Sequence, residues 1–173
     1  MAYRRSVEPR IALPGSLSVG KDCYACGLNN PRGLHIPYEK VGDAVEAIFT
    51  LGAEFSGAPA YVHGGVVMTV IDEGMSWATI ALRSRFAVTQ TFSSRFRRPV
   101  LIDEPHTLRV ECGELGENGR TLNVTAIITR ADGKTCATAE GTYYAMTIEE
   151  TASASGVPQL PEEMVRTFGF AGP

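Results

Sequence analysis

Residues 64–82 read GGVVMTVIDEGMSWATIAL, and this stretch decides the fold. As a helix it is about 28 Å long at ~1.5 Å per residue. It is apolar nearly all round, the mark of a helix buried in a core. Its polar residues are not scattered, however. At ~100° per residue, Thr69, Asp72, Glu73, Ser76, Thr79 and Arg83 share a sector of about 120°, while Val66, Val70, Ile71, Met75, Trp77, Ala78 and Leu82 take most of the rest. Two adjacent carboxylates therefore sit on one polar stripe of an otherwise buried helix. Such a stripe either faces water or faces a cleft. In a cleft, partial desolvation raises a carboxyl pKa and suits it to acid–base work. Two glycines at a helix start are poor for propensity. They leave bare backbone N–H groups at the positive end of the helix dipole, where no Cβ keeps a ligand away. Such a turn can hold a developing oxyanion. His63, just before them, is placed to cap the helix.

Outward from this helix the pattern is strand-like. Two runs precede it, about Gly33–Lys40 and Ala44–Leu51, joined by Val41-Gly42-Asp43, and a loop follows over Gly52–Val62. Four more come after: about Ala87–Arg98, ended by Pro99, then His106–Leu115, Arg120–Arg130 and Thr135–Ile148. Thr, Val, Ile, Tyr and Phe enrich them, and the short Gly-rich turns imply antiparallel hairpins. The order ββ-α-ββββ predicts an α+β fold, a sheet packed on one helix. Residues 1–20 and 149–173, rich in Pro and Gly, read as an extended arm and a tail, with a turn of helix expected at Glu162–Phe168. The domain is expected over 21–148.

Composition bounds the function. The chain has 173 residues, 44% hydrophobic and 20% charged, with a net charge of −3, which suits one globular domain and argues against a nucleic-acid partner. No uncharged apolar run reaches ~18 residues, so no membrane partner is expected. Glu8, Pro9 and Pro14 interrupt any apolar stretch after Arg4 and Arg5, so no secretory signal is expected, and a reducing, cytoplasmic setting follows. Four cysteines are too few for a disulfide scaffold. Cys23-Tyr24-Ala25-Cys26 has the spacing of half a zinc site or a redox pair. Cys112 and Cys136 fall on distant predicted strands, and His35 is the one further ligand in reach. The expectation is a turn with two unliganded thiols and no metal. No strand-loop-helix phosphate motif appears, so no cofactor is expected.

Tyr61-Val62-His63-Gly64-Gly65 followed by Met68-Thr69-Val70-Ile71-Asp72 resembles the signature of hotdog-fold acyl-CoA thioesterases, above all the PaaI-like and mammalian thioesterase-superfamily group. Asp72 lies eight residues after Gly64, as in that group. Phe96-Arg97-Arg98-Pro99 is similar to the step that ends its next strand, Thr89 stands where it often has Thr or Ser, and Ala139-Glu140-Gly141-Thr142-Tyr143-Tyr144 is similar to its last strand. Cys26-Gly27, Asn30-Pro31 and Gly33-Leu34 resemble an N-terminal element of one subgroup. The resemblance implies a hotdog fold, a curved antiparallel sheet wrapped around one long central helix. It implies a homodimer or homotetramer with sites between subunits, so that Gly64 and Gly65 of one chain face Asp72 and Thr89 of the other. It also implies acyl-CoA hydrolysis. A backbone N–H of Gly64 or Gly65 polarises the carbonyl, Asp72 acts as general base or nucleophile, Thr89 holds water and His63 orients the turn. Glu73 ranks second to Asp72. Arg95, Arg97 and Arg98 are the candidates for CoA phosphates, and Tyr61, Met68 and Ser76 for the acyl pocket, with Trp77, Phe86 and Phe92 as further aromatics. One departure stands out: the family's frequent Asn seven residues before the first glycine is Gly57 here. Two rival readings remain on the same fold, a dehydratase acting on acyl-carrier-protein substrates with His63 as base, and a non-catalytic acyl-binding protein.

Overall fold

The computed structural model describes residues 9–13 and 21–170. One 20-residue helix, α1 (Gly64–Arg83), lies across a seven-stranded antiparallel sheet. The strands are β1 (Arg10–Ala12), β2 (Tyr38–Val41), β3 (Ala44–Phe49), β6 (Ala87–Phe96), β7 (His106–Cys112), β8 (Thr121–Arg130) and β9 (Thr135–Ala145), in the order β1-β2-β3-β7-β8-β9-β6. A small hairpin, β4 (Ser56–Ala58) with β5 (Tyr61–Val62), leads into α1. Gly42 turns β2 into β3 at φ +57, a conformation that costs glycine little.

Burial explains the arrangement. Strand residues alternate, so Leu108 and Val110 of β7 and Leu122, Val124, Ala126 and Ile128 of β8 all point to the helix side and are buried. Against them α1 packs Val67, Val70, Ile71, Met75 and Ala78. Each of the Val, Leu, Ile and Met side chains so removed from water stabilises the fold by about 1.5–3 kcal/mol. The closest approach is at Gly74, where an added Cβ would stand 2.6 Å from Leu108 Cδ2. By length and hydropathy α1 would suit a bilayer, but here the sheet wraps it. Its C-terminus is closed by Ser84 in the left-handed region, with Ser84 N–H donating to Ile80 O and Arg85 N–H to Thr79 O.

Several elements depart from the expected bounds. Arg10–Ala12, within the expected arm, pairs with β2 as an edge strand. The first expected strand, Gly33–Lys40, is strand only from Tyr38. Leu34 and Ile36 instead donate to the carbonyls of Tyr24 and Ala25, which ties them to the cysteine turn. The last strand stops at Ala145. Thr147 then caps α2 (Ile148–Ala154) in a reciprocal box with Glu150. After it α3 (Glu162–Phe168) occupies the stretch expected to turn, and Phe168 packs on Trp77 while Phe170 stacks on Phe86.

One buried histidine gives a stability prediction. His106 is 1% exposed and stacked on Phe49. Its Nδ1 bonds Glu104 O at 2.9 Å, and its Nε2 accepts the Leu101 N–H at 3.3 Å. A ring that must accept at Nε2 is neutral, and burial holds its pKa below the usual 6.5. The stability this group contributes is present above pH 6.5 and is lost as pH falls through the folded value. Urea midpoints measured from about pH 7.5 down to 5 should fall more steeply in the wild type than in His106→Phe. Equal slopes would refute this assignment.

Candidate active site

The turn that opens α1 is built by the β4–β5 hairpin. The Val62 N–H donates to Val100 O and the His63 N–H to Phe55 O, which fix the chain before the helix. His63 is the N-cap. Its Nδ1 accepts the Gly65 N–H at 3.0 Å, and its carbonyl accepts from Val66 and Val67. The two glycines are thereby distinguished. Gly65 has its N–H occupied, whereas the Gly64 N–H has no acceptor among the described residues. It opens on a groove of about 380 Å³ lined by Tyr61, Gly64, Val67, Phe96, Arg97 and Arg98. The dipole of α1 adds positive potential there. Gly57 lies behind the same turn. An added Cβ would stand 2.9 Å from His63 Cα, so the side chain of an Asn does not fit at this position without moving the cap.

Further along α1, Asp72 is held by two hydroxyls. Thr89 Oγ1 donates to Asp72 Oδ1 at 2.8 Å, and Tyr143 OH donates to the same oxygen at 2.9 Å. Thr89 of β6 and Tyr143 of β9 are direct cross-strand partners, so their side chains leave the sheet on the same face. A register shift between Thr89 and Thr91 follows at once. Tyr143 is fully buried. That burial, with the Asp72 charge beside it, pushes its phenol well up, so it stays a donor. Both bonds go to Oδ1, and Oδ2 accepts from nothing among the described residues. In the sequence Tyr143 is marked only as part of a strand. Its partner lies 71 residues away, and only the strand register brings the two together.

Glu73 turns away from this pair. It meets the 21–36 segment, where Cys26 Sγ donates to Oε1 at 2.7 Å and Cys23 Sγ to Oε2 at 3.5 Å. Burial is the main cause pushing the Glu73 carboxyl up to about 7. Both thiols of the cysteine turn are thus aimed at one carboxylate. His35 is elsewhere, with Nε2 on Asn30 O at 2.7 Å. The other expected residues divide by place. Arg97 and Arg98 border the Gly64 groove, and Arg98 also donates to Thr135 O. Arg95 lines a separate depression with Arg109, Glu111 and Glu140. Tyr61 lines the groove, whereas Met68 and Ser76 do not. Trp77 is buried in the core, and Phe86 lies under the tail.

The sequence model of the thioesterase superfamily matches residues 60–137, the span from the hairpin through the Gly64 turn, Asp72 and Thr89. The mouse acyl-coenzyme A thioesterase THEM4 is 28% identical over 98 residues, covering 57% of this chain and 41% of that protein. The chain therefore spans about two-fifths of the length of that relative. Among solved structures, a thioesterase-superfamily protein superposes with a TM-score of 0.68 at 27% identity, covering 81% of this chain and 68% of the other. The E. coli PaaI protein from the phenylacetic acid degradation operon superposes with a TM-score of 0.59 at 19% identity, covering 65% and 80%. The sheet wrapped on one helix is a hotdog fold, and residues 60–137 within it match the thioesterase superfamily.

Proposed function

We propose that the protein hydrolyses an acyl-CoA thioester to the free acid and CoA at a site shared by two copies of the chain. The observation that carries this reading is a separation. The unengaged Gly64 N–H and the Asp72 carboxylate are eight residues apart on one straight helix, about 12 Å at ~1.5 Å per residue. An oxyanion donor sits ~3 Å from the carbonyl oxygen, and an attacking group ~3–3.5 Å from the carbonyl carbon. One carbonyl cannot meet both groups of a single chain. Two antiparallel helices bring Gly64 of one copy to Asp72 of the other, and a symmetric dimer does so twice. Exposed Tyr61, Val88 and Phe96 flank the turn and the edge of β6 that pairs with no strand among the described residues, an apolar rim suited to a second copy. A dimer, or a pair of dimers, is part of the proposal.

In this site the Gly64 N–H polarises the thioester carbonyl. Asp72 either takes a proton from an attacking water or attacks the carbonyl itself. Thr89 and Tyr143 hold Asp72 Oδ1, which leaves Oδ2 for the reacting atom. The carbonyl π electrons move onto oxygen and are stabilised by the Gly64 N–H. Collapse of that intermediate breaks the C–S bond and expels CoA as its thiolate. Where water attacked, the acid is already formed; where Asp72 attacked, a water then hydrolyses the acyl anhydride to free acid and restores the carboxylate. Arg97 and Arg98 at the groove are the groups for CoA phosphates. His63 positions the glycine turn. That engagement also disfavours the dehydratase reading, because its Nδ1 is already committed to the Gly65 N–H. The name of the mouse relative supports acyl-CoA as the substrate class.

The test is release of free thiol from short, medium, long and aromatic acyl-CoAs by the full chain. Saturable release from at least one class is expected. Release from none, with binding retained, would replace this reading by that of a non-catalytic acyl-binding protein.

A further inference from the structure

We propose that Cys23, Cys26 and Glu73 bind a soft divalent cation, zinc above all, joining the 21–36 segment to α1. This goes beyond thioester hydrolysis and does not depend on it.

The three donors come from places far apart in the chain. Cys23 and Cys26 lie on one tight turn and Glu73 on α1, and one ligand atom from each lies within 4.8 Å of the others. A tetrahedral zinc ion with Zn–S near 2.3 Å and Zn–O near 2.0–2.2 Å sets its donors about 3.5–3.8 Å apart. Cys23 Sγ stands 3.5 Å from Glu73 Oε2, within that spacing. Cys26 Sγ stands 2.7 Å from the other oxygen, Oε1, so binding through one oxygen requires the carboxylate to turn, and binding through both requires this contact to open by about 0.8 Å.

The turn has the construction of a metal knuckle. The Gly27 N–H closes the turn on Cys23 O at 2.9 Å. A Cβ at Gly27 would collide with the backbone of Cys23 and Lys21, so the tightness of the turn requires glycine there. The Leu34 and Ile36 bonds to Tyr24 and Ala25 then hold the turn against the rest of the segment.

Charge points the same way. Glu73 is partly buried beside two thiols, and among the described residues no Lys, Arg or His stands within ion-pair distance of it. A buried carboxylate is ordinarily paired or coordinates a metal. Two sulfur donors select zinc over magnesium or calcium, which prefer all-oxygen shells. Three protein ligands leave the fourth position to water. Since Glu73 adjoins Asp72 on α1, the ion would fasten the 21–36 segment to the turn of helix that carries Asp72.

The test uses the full chain, purified under reductant, stripped with chelator and titrated with cobalt(II) and then zinc. One cobalt per chain is expected, with thiolate-to-cobalt charge-transfer absorption that zinc abolishes, and zinc should raise the melting temperature. Cys23→Ser, at a half-exposed position, should remove the absorption while leaving the far-UV circular dichroism unchanged. Glu73→Gln should weaken cobalt binding at least ~10-fold. Cys112→Ser, on β7, should bind as the wild type does. Three results would overturn the proposal: no charge-transfer band, a band that persists in the Cys23→Ser Cys26→Ser double variant, or a thiol count showing the pair oxidised to a disulfide under reductant.

Discussion

Asp72→Asn should lower acyl-CoA hydrolysis at least ~100-fold, the usual scale for losing a general base, and the loss should fall on kcat rather than KM. The substitution is well matched to the geometry. An amide keeps an oxygen where Oδ1 now accepts from Thr89 and Tyr143, so both hydroxyls stay paired and no buried donor is orphaned. What disappears is the capacity of the free oxygen to take a proton or to attack. Binding of substrate uses other groups, so KM should move little, the pattern expected when an interaction made only in the transition state is removed. Melting temperature and oligomeric state serve as controls, and both should match the wild type. Turnover within a few-fold of wild type would refute the role given to Asp72, whatever the protein is found to bind. An equal loss from Glu73→Gln in metal-free protein would shift the role to the neighbouring carboxylate, yet Glu73 faces Cys23 and Cys26 and not the Thr89–Tyr143 side.

The central helix was readable in the sequence because an apolar surface broken by one polar stripe has few alternative structures, and the strand order followed from hairpin turns of Gly, Asp and Asn. What escaped depended on long-range register or on short-range competition. Tyr143 carries no local mark. It reaches Asp72 only because β9 pairs with β6 so that Thr89 and Tyr143 stand opposite each other. The Cys23–Cys26 turn and Glu73 are separated by 47 to 50 residues, and nothing in the spacing connects them. The start of α2 did have a signal, Thr147 three residues before Glu150, but it followed a long run of strand formers that hid it. Residues 33–37 were strand-like by composition. There the backbone is spent instead on Tyr24 and Ala25, and Pro37 has no N–H to give. Gly64 and Gly65 were equivalent as letters. They differ only once His63 chooses which N–H to cap.

That difference leads to the second large effect. Gly64→Pro should cost about 10²–10³ in kcat, the scale of losing one oxyanion donor, with little change in stability. Proline deletes the N–H and does little else here. Gly64 is the first residue of α1, the helical position where proline is favoured because its missing N–H would have no partner in the helix. His63 before it is extended, at φ −59 and ψ 135, as a residue preceding proline prefers. A Cβ at Gly64 meets only Phe96 Cζ at 3.8 Å, an ordinary contact. Gly65→Pro is the contrasting variant. It would remove a donor that already serves His63 Nδ1, and so should act mainly on the stability of the helix start. Gly64→Pro also tests where the site lies. If Gly64 and Asp72 of one site come from different copies, a heterodimer of Gly64→Pro with Asp72→Asn holds one doubly damaged site and one intact site. Unfolding and refolding an equal mixture of the two inactive variants makes half the dimers mixed, so activity should return to about a quarter of wild type. No return of activity, with mixed dimers demonstrated, would place both groups of each site in a single chain. The ~12 Å between them along α1 is the physical reason to expect the return.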